Sequence, residues 1–536
     1  MLRSQAARVP RGVAVGLVQD RDGTLEEIRW GDLLAGARRR AAGYRRLGIG
    51  RGARVILELP TGRAYLEALL GAFWAGVVPA TVAPFGRRGG REAAEEWRGM
   101  VAGVRPTAAI SDMPRPSCAG IPVHPSAELV GEAGGAGPPA PAAGPCYVQF
   151  SSGSTGQPKG VVLDWPAVEA NLDAIAGRVP LGPGEHVFSW LPMYHDMGLF
   201  GTLLAPLQAG CRLTLMDPGL FIAHPMLWFR MLSRLRASIT TTPPSALHFC
   251  LQLVSRRAPP GLELGALRRV ICGSEPVPPR LVRDFDAILG PLGVGAEVLK
   301  PVYGLAENTL AVTMPGALEA PRIESLDRDA LETGGPVLGG EGAESVALGA
   351  PLPGNELRIV DPRGEVLEEG RIGRILLRSP SLFSGWLRDG RMVPRPPGWF
   401  DTGDLGFLAA GRLHVTGRAR DLIIRNGRNY APERIEELAQ LAPGVQRAAA
   451  FGVWDAGRLS ERVVVAVEVR RRDVTDPSAR DRLRLELRAR LGDAGYAVDE
   501  IVVLDRGALP RTTSGKIRRR HCSRCYRSGL WGDHGA

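Results

Sequence analysis

Lysine is almost absent from this chain, although basic residues are not. Only three of its 67 lysine and arginine residues are lysine, namely Lys159, Lys300 and Lys516. Because arginine fills nearly every other basic position, a retained lysine indicates a site that needs a compact ammonium group and not a planar guanidinium. Lys159 and Lys516 stand in glycine-rich segments, and these segments are therefore the first candidates for a functional site.

Cysteine is also sparse, and its spacing has no pattern. Seven cysteines are spread over 536 residues, which excludes the disulfide framework of a small secreted domain. Cys522 and Cys525 form one C-x2-C pair near His521 and His534. A structural zinc site needs four well-spaced ligands, so we predict no metal there and leave the role of the pair open.

Long hydrophobic runs are missing as well. The N-terminus lacks the apolar stretch of a signal peptide, and the uncharged segment 68–86 is interrupted by Gly76, Pro79 and Pro84. We predict a buried helix that ends near Gly76 and a buried strand over residues 77–82, not a membrane span. The expected location is the cytoplasm.

The composition is that of a soluble enzyme with a basic surface. Hydrophobic residues make up 44% and charged residues 23%, and the net charge is +11. Such a charge suits an acidic partner. Apart from Arg518–Arg520 the basic residues are spread along the chain, so we predict no nucleic-acid binding.

The order of sequence patterns predicts an α/β fold with a second, smaller domain. Apolar strands at 147–150, 187–190, 212–216 and 269–271 alternate with helical segments, which is typical of parallel-rich sheets. The pattern of residues 356–377 indicates β-hairpins of a small β-barrel subdomain. A helix at 431–442, a strand at 460–469, a helix at 481–491 and a strand at 500–504 predict a small α+β domain at the C-terminus.

A glycine- and hydroxyl-rich loop follows the strand predicted at 147–150. Its backbone N–H groups and hydroxyls can surround phosphate oxygens, while Lys159 adds a positive charge. The spacing is not that of a Walker A loop. The residues predicted to bind phosphate are Ser151, Ser152, Gly153, Ser154, Thr155, Gly156 and Lys159.

This loop resembles the phosphate-binding signature of the adenylate-forming superfamily, which includes acyl-CoA synthetases, luciferases and peptide-synthetase adenylation domains. Further segments resemble the other motifs of that superfamily, in the same order. They are Gly273-Ser274-Glu275-Pro276, Tyr303-Gly304-Leu305-Ala306-Glu307, Trp399-Phe400-Asp401-Thr402-Gly403-Asp404, Gly417-Arg418-Ala419-Arg420-Asp421 and Pro510-Arg511-Thr512-Thr513-Ser514-Gly515-Lys516. The resemblance implies a ligase that uses ATP and Mg²⁺ to activate a carboxylic acid as an acyl-adenylate and then passes the acyl group to a thiol.

The resemblance also implies a role for each motif. Gly273, Ser274 and Glu275 would bind adenine, and Tyr303 and Gly304 would line the nucleotide site. Glu307 would hold magnesium, because one carboxylate suffices for an ion that keeps several waters.

The later motifs would bind ribose, supply a hinge and act in catalysis. Asp404 and Arg418 would contact the ribose, and Lys516 would stabilise charge at the α-phosphate. Arg420 matches the hinge of the family. We therefore expect an N-terminal domain, 1–419, and a mobile C-terminal domain, 420–536.

Residues 194–199, Tyr-His-Asp-Met-Gly-Leu, resemble the fatty acyl-AMP ligases, which load acyl carrier proteins and not coenzyme A. In that case His195 would act at the entrance of the acyl pocket. Two departures from the pattern are present. Only 15 residues separate Trp386 from Thr402, where these ligases carry an extra segment that hinders coenzyme A. The sequence at 243–248 also differs from their usual pocket motif.

Three alternatives stay open at this point. The acceptor could be coenzyme A, since the extra segment looks absent or vestigial. The substrate could be an aryl or amino acid in place of a fatty acid. The chain could also be a non-catalytic relative that serves as a scaffold, which Lys159, Glu307, Asp404 and Lys516 argue against.

Overall fold

The computed structural model describes residues 2–84, 91–113, 120–132, 144–151, 159–333, 335–426, 428–455, 458–470, 477–512 and 516–531. The first elements are α1 (Leu2–Arg8), β1 (Val13–Val18), β2 (Leu25–Arg29), α2 (Trp30–Arg46), β3 (Arg54–Glu58), α3 (Arg63–Ala75), β4 (Val78–Thr81), α4 (Arg91–Val104), β5 (Ala108–Ser111), β6 (Val123–His124) and β7 (Pro145–Ser151). They are followed by β8 (Lys159–Asp164), α5 (Trp165–Arg178), β9 (His186–Ser189), a π-helix (Met197–Leu204), α6 (Ala205–Ala209), β10 (Arg212–Met216), α7 (Pro218–Ala223), α8 (Met226–Leu235), β11 (Ile239–Thr242), α9 (Pro244–Arg256), β12 (Arg269–Cys272), α10 (Pro279–Leu289), β13 (Leu299–Pro301), β14 (Tyr303–Gly304) and β15 (Ala311–Met314).

The remaining elements are β16 (Ile323–Asp327), α11 (Arg328–Thr333), β17 (Gly342–Val346), β18 (Ala350–Pro351), β19 (Glu356–Val360), β20 (Gly373–Arg378), β21 (Gly385–Arg388), β22 (Arg391–Pro394), β23 (Phe400–Ala409), β24 (Arg412–Arg418), β25 (Ile423–Arg425), β26 (Arg428–Tyr430), α12 (Pro432–Gln440), β27 (Val445–Asp455), β28 (Ser460–Val469), α13 (Pro477–Asp493), β29 (Glu500–Asp505) and α14 (Arg519–Arg527).

The chain divides into two compact units, and the first unit holds three large sheets. It comprises Met1–Pro321, Leu348–Glu356 and Arg378–Gly398. The seven-stranded sheet has the order β13-β12-β11-β9-β10-β1-β2, and only β2 runs antiparallel to its neighbour. A parallel sheet, β4-β3-β5-β6, and an antiparallel one, β22-β21-β8-β7, accompany it. The predicted α/β class with parallel-rich sheets is confirmed.

The uncharged segment 68–86 folds as its sequence indicates. Helix α3 ends at Ala75, and Gly76 has a φ of +72°, a left-handed conformation that glycine adopts without steric cost. Strand β4 follows and is buried at every position. In the part of the chain that the structure describes, no helix is long and apolar enough to cross a membrane.

The second unit comprises Arg322–Ala347, Leu357–Leu377 and Trp399–Ala536. A four-stranded sheet, β19-β20-β23-β24, occupies the region of the predicted barrel subdomain. A three-stranded sheet, β27-β28-β29, carries apolar clusters on both faces, as expected for an α+β domain. The predicted boundary between residues 419 and 420 falls inside this unit, and it stays a prediction about which residues rotate together.

Cys522 and Cys525 both lie on α14 and are packed into the core. Both side chains are buried, and burial raises the pKa of the Cys522 thiol well above its ordinary value. Within the described ranges, no group of three or more histidine, cysteine, aspartate or glutamate side chains could hold a metal ion; His534 lies outside them. These two thiols therefore contribute to packing.

Candidate functional site

The carboxyl ends of the parallel strands bring several predicted motifs to one edge of the seven-stranded sheet. Gly273–Glu275 follows β12, Tyr303–Glu307 follows β13, and Tyr194–His195 lies in the loop after β9. The chain passes from β9 to β10 on one side and returns to β11 on the other. Ligands of open α/β sheets bind at such a reversal, beyond the carboxyl ends of the strands, so this edge is the candidate site of the first unit.

The predicted phosphate loop joins two antiparallel strands, β7 and β8. Ser151 is opposite Lys159 in the register of this hairpin, and residues 152–158 lie outside the described part of the chain. Gln149 is buried and its Nε2 atom donates to the carbonyl oxygen of Tyr194 at 2.9 Å. One side-chain hydrogen bond therefore fixes the strand that enters the loop against the segment that carries His195.

The stretch Tyr194–Leu199 leads into a π-helix, a rare form that is frequent at functional sites. Asp196 caps this helix, since its Oδ1 atom accepts from the backbone N–H of Met197 at 2.7 Å. A Cβ on Gly198 would lie 2.2 Å from the carbonyl oxygen of Pro192. Only glycine therefore allows the helix to begin this close to the loop after β9. The apolar run 198–210 becomes the π-helix and α6, and it is mostly buried.

The turn predicted to bind adenine contains a residue with a positive φ and is held by a carboxylate. Ser274 has a φ of +75°, which is uncommon for a residue with a side chain. Glu275 accepts from the backbone N–H and the hydroxyl of Ser245, at 3.0 and 3.1 Å. Because Ser245 lies in the first turn of α9, this carboxylate ties the adenine turn to the helix that follows β11.

Glu307 lies in a 3-10 turn, Ala306–Asn308, whose surroundings are strained. Thr309 has a φ of +62°, an unusual value for a β-branched residue, and its hydroxyl donates to Ser381 O at 3.0 Å. The carbonyl oxygen of Glu307 accepts from Phe383 N at 2.8 Å. The backbone around Glu307 is thus fixed from two sides, while its side chain is only half-buried.

In the second unit, the β23–β24 hairpin brings two predicted ribose contacts together. Asp404 is opposite Arg418 in the register, and Arg418 Nε lies 3.2 Å from Asp404 Oδ1. The Asp404 side chain is 11% exposed. Gly403 has a φ of +76°, and its N–H donates to Asp401 Oδ1 at 2.9 Å. Two motifs that are fourteen positions apart in sequence thereby form one polar surface.

Lys516 lies at the end of a small loop closed by hydrogen bonds. Thr512 N donates to Lys516 O at 2.8 Å, and Lys516 N donates to Thr512 Oγ1 at 3.1 Å. Residues 513–515 are not among those described. Ile517 and Cys522 pack against the β27–β29 sheet, so the loop stands on the core of the C-terminal part of this unit.

Comparison with known sequences decides the family. A profile described as AMP-binding enzyme matches residues 2–387, and one described as AMP-binding enzyme C-terminal domain matches residues 434–516. The chain belongs to the AMP-binding enzymes. The profile boundaries leave residues 388–433, which include Arg420, between the two matches.

Relatives of this AMP-binding enzyme include the long-chain-fatty-acid–AMP ligase FadD26 of Mycobacterium marinum. It is 30% identical, and the alignment covers 98% of this chain and 97% of the relative. A Caulobacter vibrioides relative is 32% identical over 90% of this chain and 87% of its own length, and its name assigns it provisionally to the acyl-CoA synthetases.

Solved structures give the same family. One from a study of fatty acyl-adenylate ligases of E. coli and L. pneumophila has a TM-score of 0.88 and 30% identity, covering 99% of this chain and 97% of its own. An L. pneumophila fatty acyl-adenylate ligase in complex with acyl adenylate and pyrophosphate has a TM-score of 0.73 and 27% identity, covering 99% and 95%. The predicted resemblance to the adenylate-forming superfamily and its fatty acyl-AMP ligases is confirmed.

Two residues that hold predicted segments of this AMP-binding enzyme in place could not be identified from the sequence: Gln149 and Ser245. Each acts through a partner distant in sequence, as in the Gln149–Tyr194 bond. A lysine in this lysine-poor chain can also have a structural role. Lys300 is buried and donates to Gly316 O and Glu319 O at 2.8 and 2.6 Å, and burial lowers its pKa to about 8. This third lysine fixes the turn at residues 316–319 to β13.

Proposed function

We propose that this AMP-binding enzyme activates a fatty acid with ATP as an acyl-adenylate, releases pyrophosphate, and transfers the acyl group to the phosphopantetheine thiol of an acyl carrier protein. Membership of the family and the six ordered motifs support the first half-reaction, which is formation of the acyl-adenylate. The names of FadD26 and of the solved acyl-adenylate ligases support a fatty acid as the substrate. The stretch Tyr194–Leu199 supports the same branch.

In this proposal each motif has the role that the family resemblance implies. Ser151–Gly156 and Lys159 bind phosphate oxygens, while Gly273, Ser274 and Glu275 form the adenine turn. Asp404 accepts hydrogen bonds from the two ribose hydroxyls, and Arg418 orients its carboxylate. His195 acts at the entrance of the acyl pocket.

The residues present fit a magnesium ion at Glu307. The half-buried carboxylate stands on a rigid turn, and magnesium is commonly bound by one or two carboxylates together with substrate phosphates and waters. When bound, the ion would reduce the repulsion between the phosphates and the incoming carboxylate. Lys516 would supply positive charge where the α-phosphate is attacked.

Two observations favour a carrier protein as the acceptor. The chain carries a net charge of +11, which speeds encounter with an acidic partner. Arg520, Arg524 and Arg527 are all exposed and are spaced four and three positions apart on α14, so they share one helix face. This face begins four residues after Lys516. One observation favours coenzyme A instead. Between Trp386 and Thr402 the chain forms only the short β21–β22 hairpin before β23 begins, without room for the extra segment that hinders coenzyme A, so coenzyme A is the second candidate acceptor.

The test separates the two half-reactions. Acid-dependent pyrophosphate release is measured over a panel of fatty, aryl and amino acids, and transfer is measured from pre-formed acyl-adenylate to a thiol. We expect Lys516→Ala to abolish the first reaction and to leave the second largely intact, because Lys516 serves only adenylation. Equal loss of both would refute the assignment, and preference for an aryl or amino acid would replace the proposed substrate class. Absence of pyrophosphate release with every acid would favour a non-catalytic scaffold.

A further inference from the structure

Arg519, the first residue of α14, is the centre of a buried cluster of charged side chains. Its Nε and Nη2 atoms each lie 2.7 Å from one carboxylate oxygen of Glu436, so this pair is bidentate. Its Nη1 atom donates to Glu433 Oε1 at 2.6 Å and to Asp421 Oδ2 at 3.3 Å. Its side chain is 17% exposed. Burial opposes the charged form, but Glu436 and the other carboxylates raise the pKa of Arg519 above its ordinary value.

The cluster lies beside the predicted hinge. Asp421 directly follows Arg420, and a Cβ on Gly417, three residues before Arg420, would lie 3.0 Å from Glu433 Oε2. Glu436 also contacts the β27–β29 sheet, since its Oε1 atom accepts from Ala450 N at 2.9 Å as well as from Arg519 Nε. Of the carboxylates that hold Arg519, Asp421 therefore lies next to the predicted hinge residue, and Glu433 and Glu436 lie on α12.

The cluster also fixes the lysine loop. Arg519 is three residues after Lys516, and Arg518 N donates to Pro510 O at 2.9 Å, which closes the base of the loop. The described contacts of Arg519 and of the loop therefore connect Lys516 to Asp421 and α12 through one guanidinium group.

We propose that Arg519 is the positioning residue of Lys516, because it holds the lysine loop in a fixed place relative to α12 and the hinge segment. The inference rests on the proposed function, in which Lys516 acts in acyl-adenylate formation only. A lysine at position 519 would keep the charge but lose the planar fork that contacts three carboxylates at once. The ammonium group of Lys516 would then be displaced, and small displacements of a catalytic group are costly.

The test is Arg519→Lys in the full-length protein, assayed in both half-reactions. We expect the kcat of acid-dependent pyrophosphate release to fall about 10- to 100-fold, with an unchanged KM for ATP. Transfer of pre-formed acyl-adenylate to a thiol should stay at the wild-type rate. The matched control is Arg482→Lys, the same change at an exposed position of α13, which should leave both half-reactions unaffected.

A purely structural role would reduce both half-reactions together, and that result would overturn the proposal, as would unchanged adenylation in Arg519→Lys. If Arg519→Lys does not fold, Glu433→Gln replaces it, because glutamine keeps the shape of the side chain and one acceptor oxygen. We expect the rate of adenylation to fall about threefold and the rate of transfer to stay unchanged. No loss, or an equal loss in both steps, would overturn the proposal. The proposed function fails separately, when wild-type protein forms no acyl-adenylate or Lys516→Ala retains that step.

Discussion

Replacing Asp404 by alanine gives a quantitative test of the ribose assignment. The side chain is largely buried and its Oδ1 atom lies 3.2 Å from Arg418 Nε, so the carboxylate is already oriented before nucleotide binds. Its removal leaves two ribose hydroxyls without an acceptor and Arg418 without this partner. Hydrogen bonds to a charged group contribute about 1.5–3 kcal/mol. Loss equivalent to one such bond raises the KM for ATP by about 10- to 150-fold.

The assay is pyrophosphate release as a function of ATP concentration, with direct measurement of ATP binding as a second readout. Asp401→Asn is the control, because Asp401 lies three residues earlier on the same strand and forms an exposed ion pair with Arg374 at 2.9 Å. Exposed ion pairs contribute little, so this change should alter the KM for ATP less than about threefold. An unchanged KM in Asp404→Ala would refute the ribose role, and an equal rise in both variants would show that the turn itself matters.

Three other predictions concern the acceptor, the π-helix and the buried histidines. In a competition for pre-formed acyl-adenylate, a phosphopantetheinylated carrier should outcompete coenzyme A, and Arg524→Glu with Arg527→Glu should raise the KM for the carrier about tenfold without changing transfer to free pantetheine; dominance of acyl-CoA would reject the carrier. Gly198→Ala should cost about 1–3 kcal/mol of stability and slow adenylation, because its Cβ would meet Pro192 O at 2.2 Å, whereas Gly177→Ala, which meets nothing within 4 Å, should do neither. Burial lowers the pKa of His186 and His414 to about 4. Because the unfolded chain binds protons at higher pH than these buried histidines do, the free energy of unfolding is largest above about pH 6.5 and decreases by about 3 kcal/mol for each histidine as the pH falls toward 4. In urea unfolding, His414→Phe should reduce the dependence of the free energy of unfolding on pH over this range. An unchanged dependence would contradict the lowered pKa of His414.

The sequence by itself determined the secondary elements and the family. The apolar-rich strands Arg212–Met216 and Ser460–Val469 occur as predicted, because positions in sheets that are covered on both faces favour apolar side chains. Helix α12 begins at Pro432 because proline has no N–H to leave unpaired in the first turn. These are local rules, which act within one turn or one strand, and the six motifs are local for the same reason.

Only the tertiary structure decided how the motifs are held and paired. The register of one hairpin sets Asp404 beside Arg418, and long-range hydrogen bonds join Gln149 to Tyr194 and Glu275 to Ser245. The guanidinium of Arg519 reaches carboxylates more than 80 positions away. Sequence spacing carries no information about such contacts, because they depend on where the chain returns after folding; for the same reason, the scarcity of lysine could not distinguish buried Lys300 from Lys516.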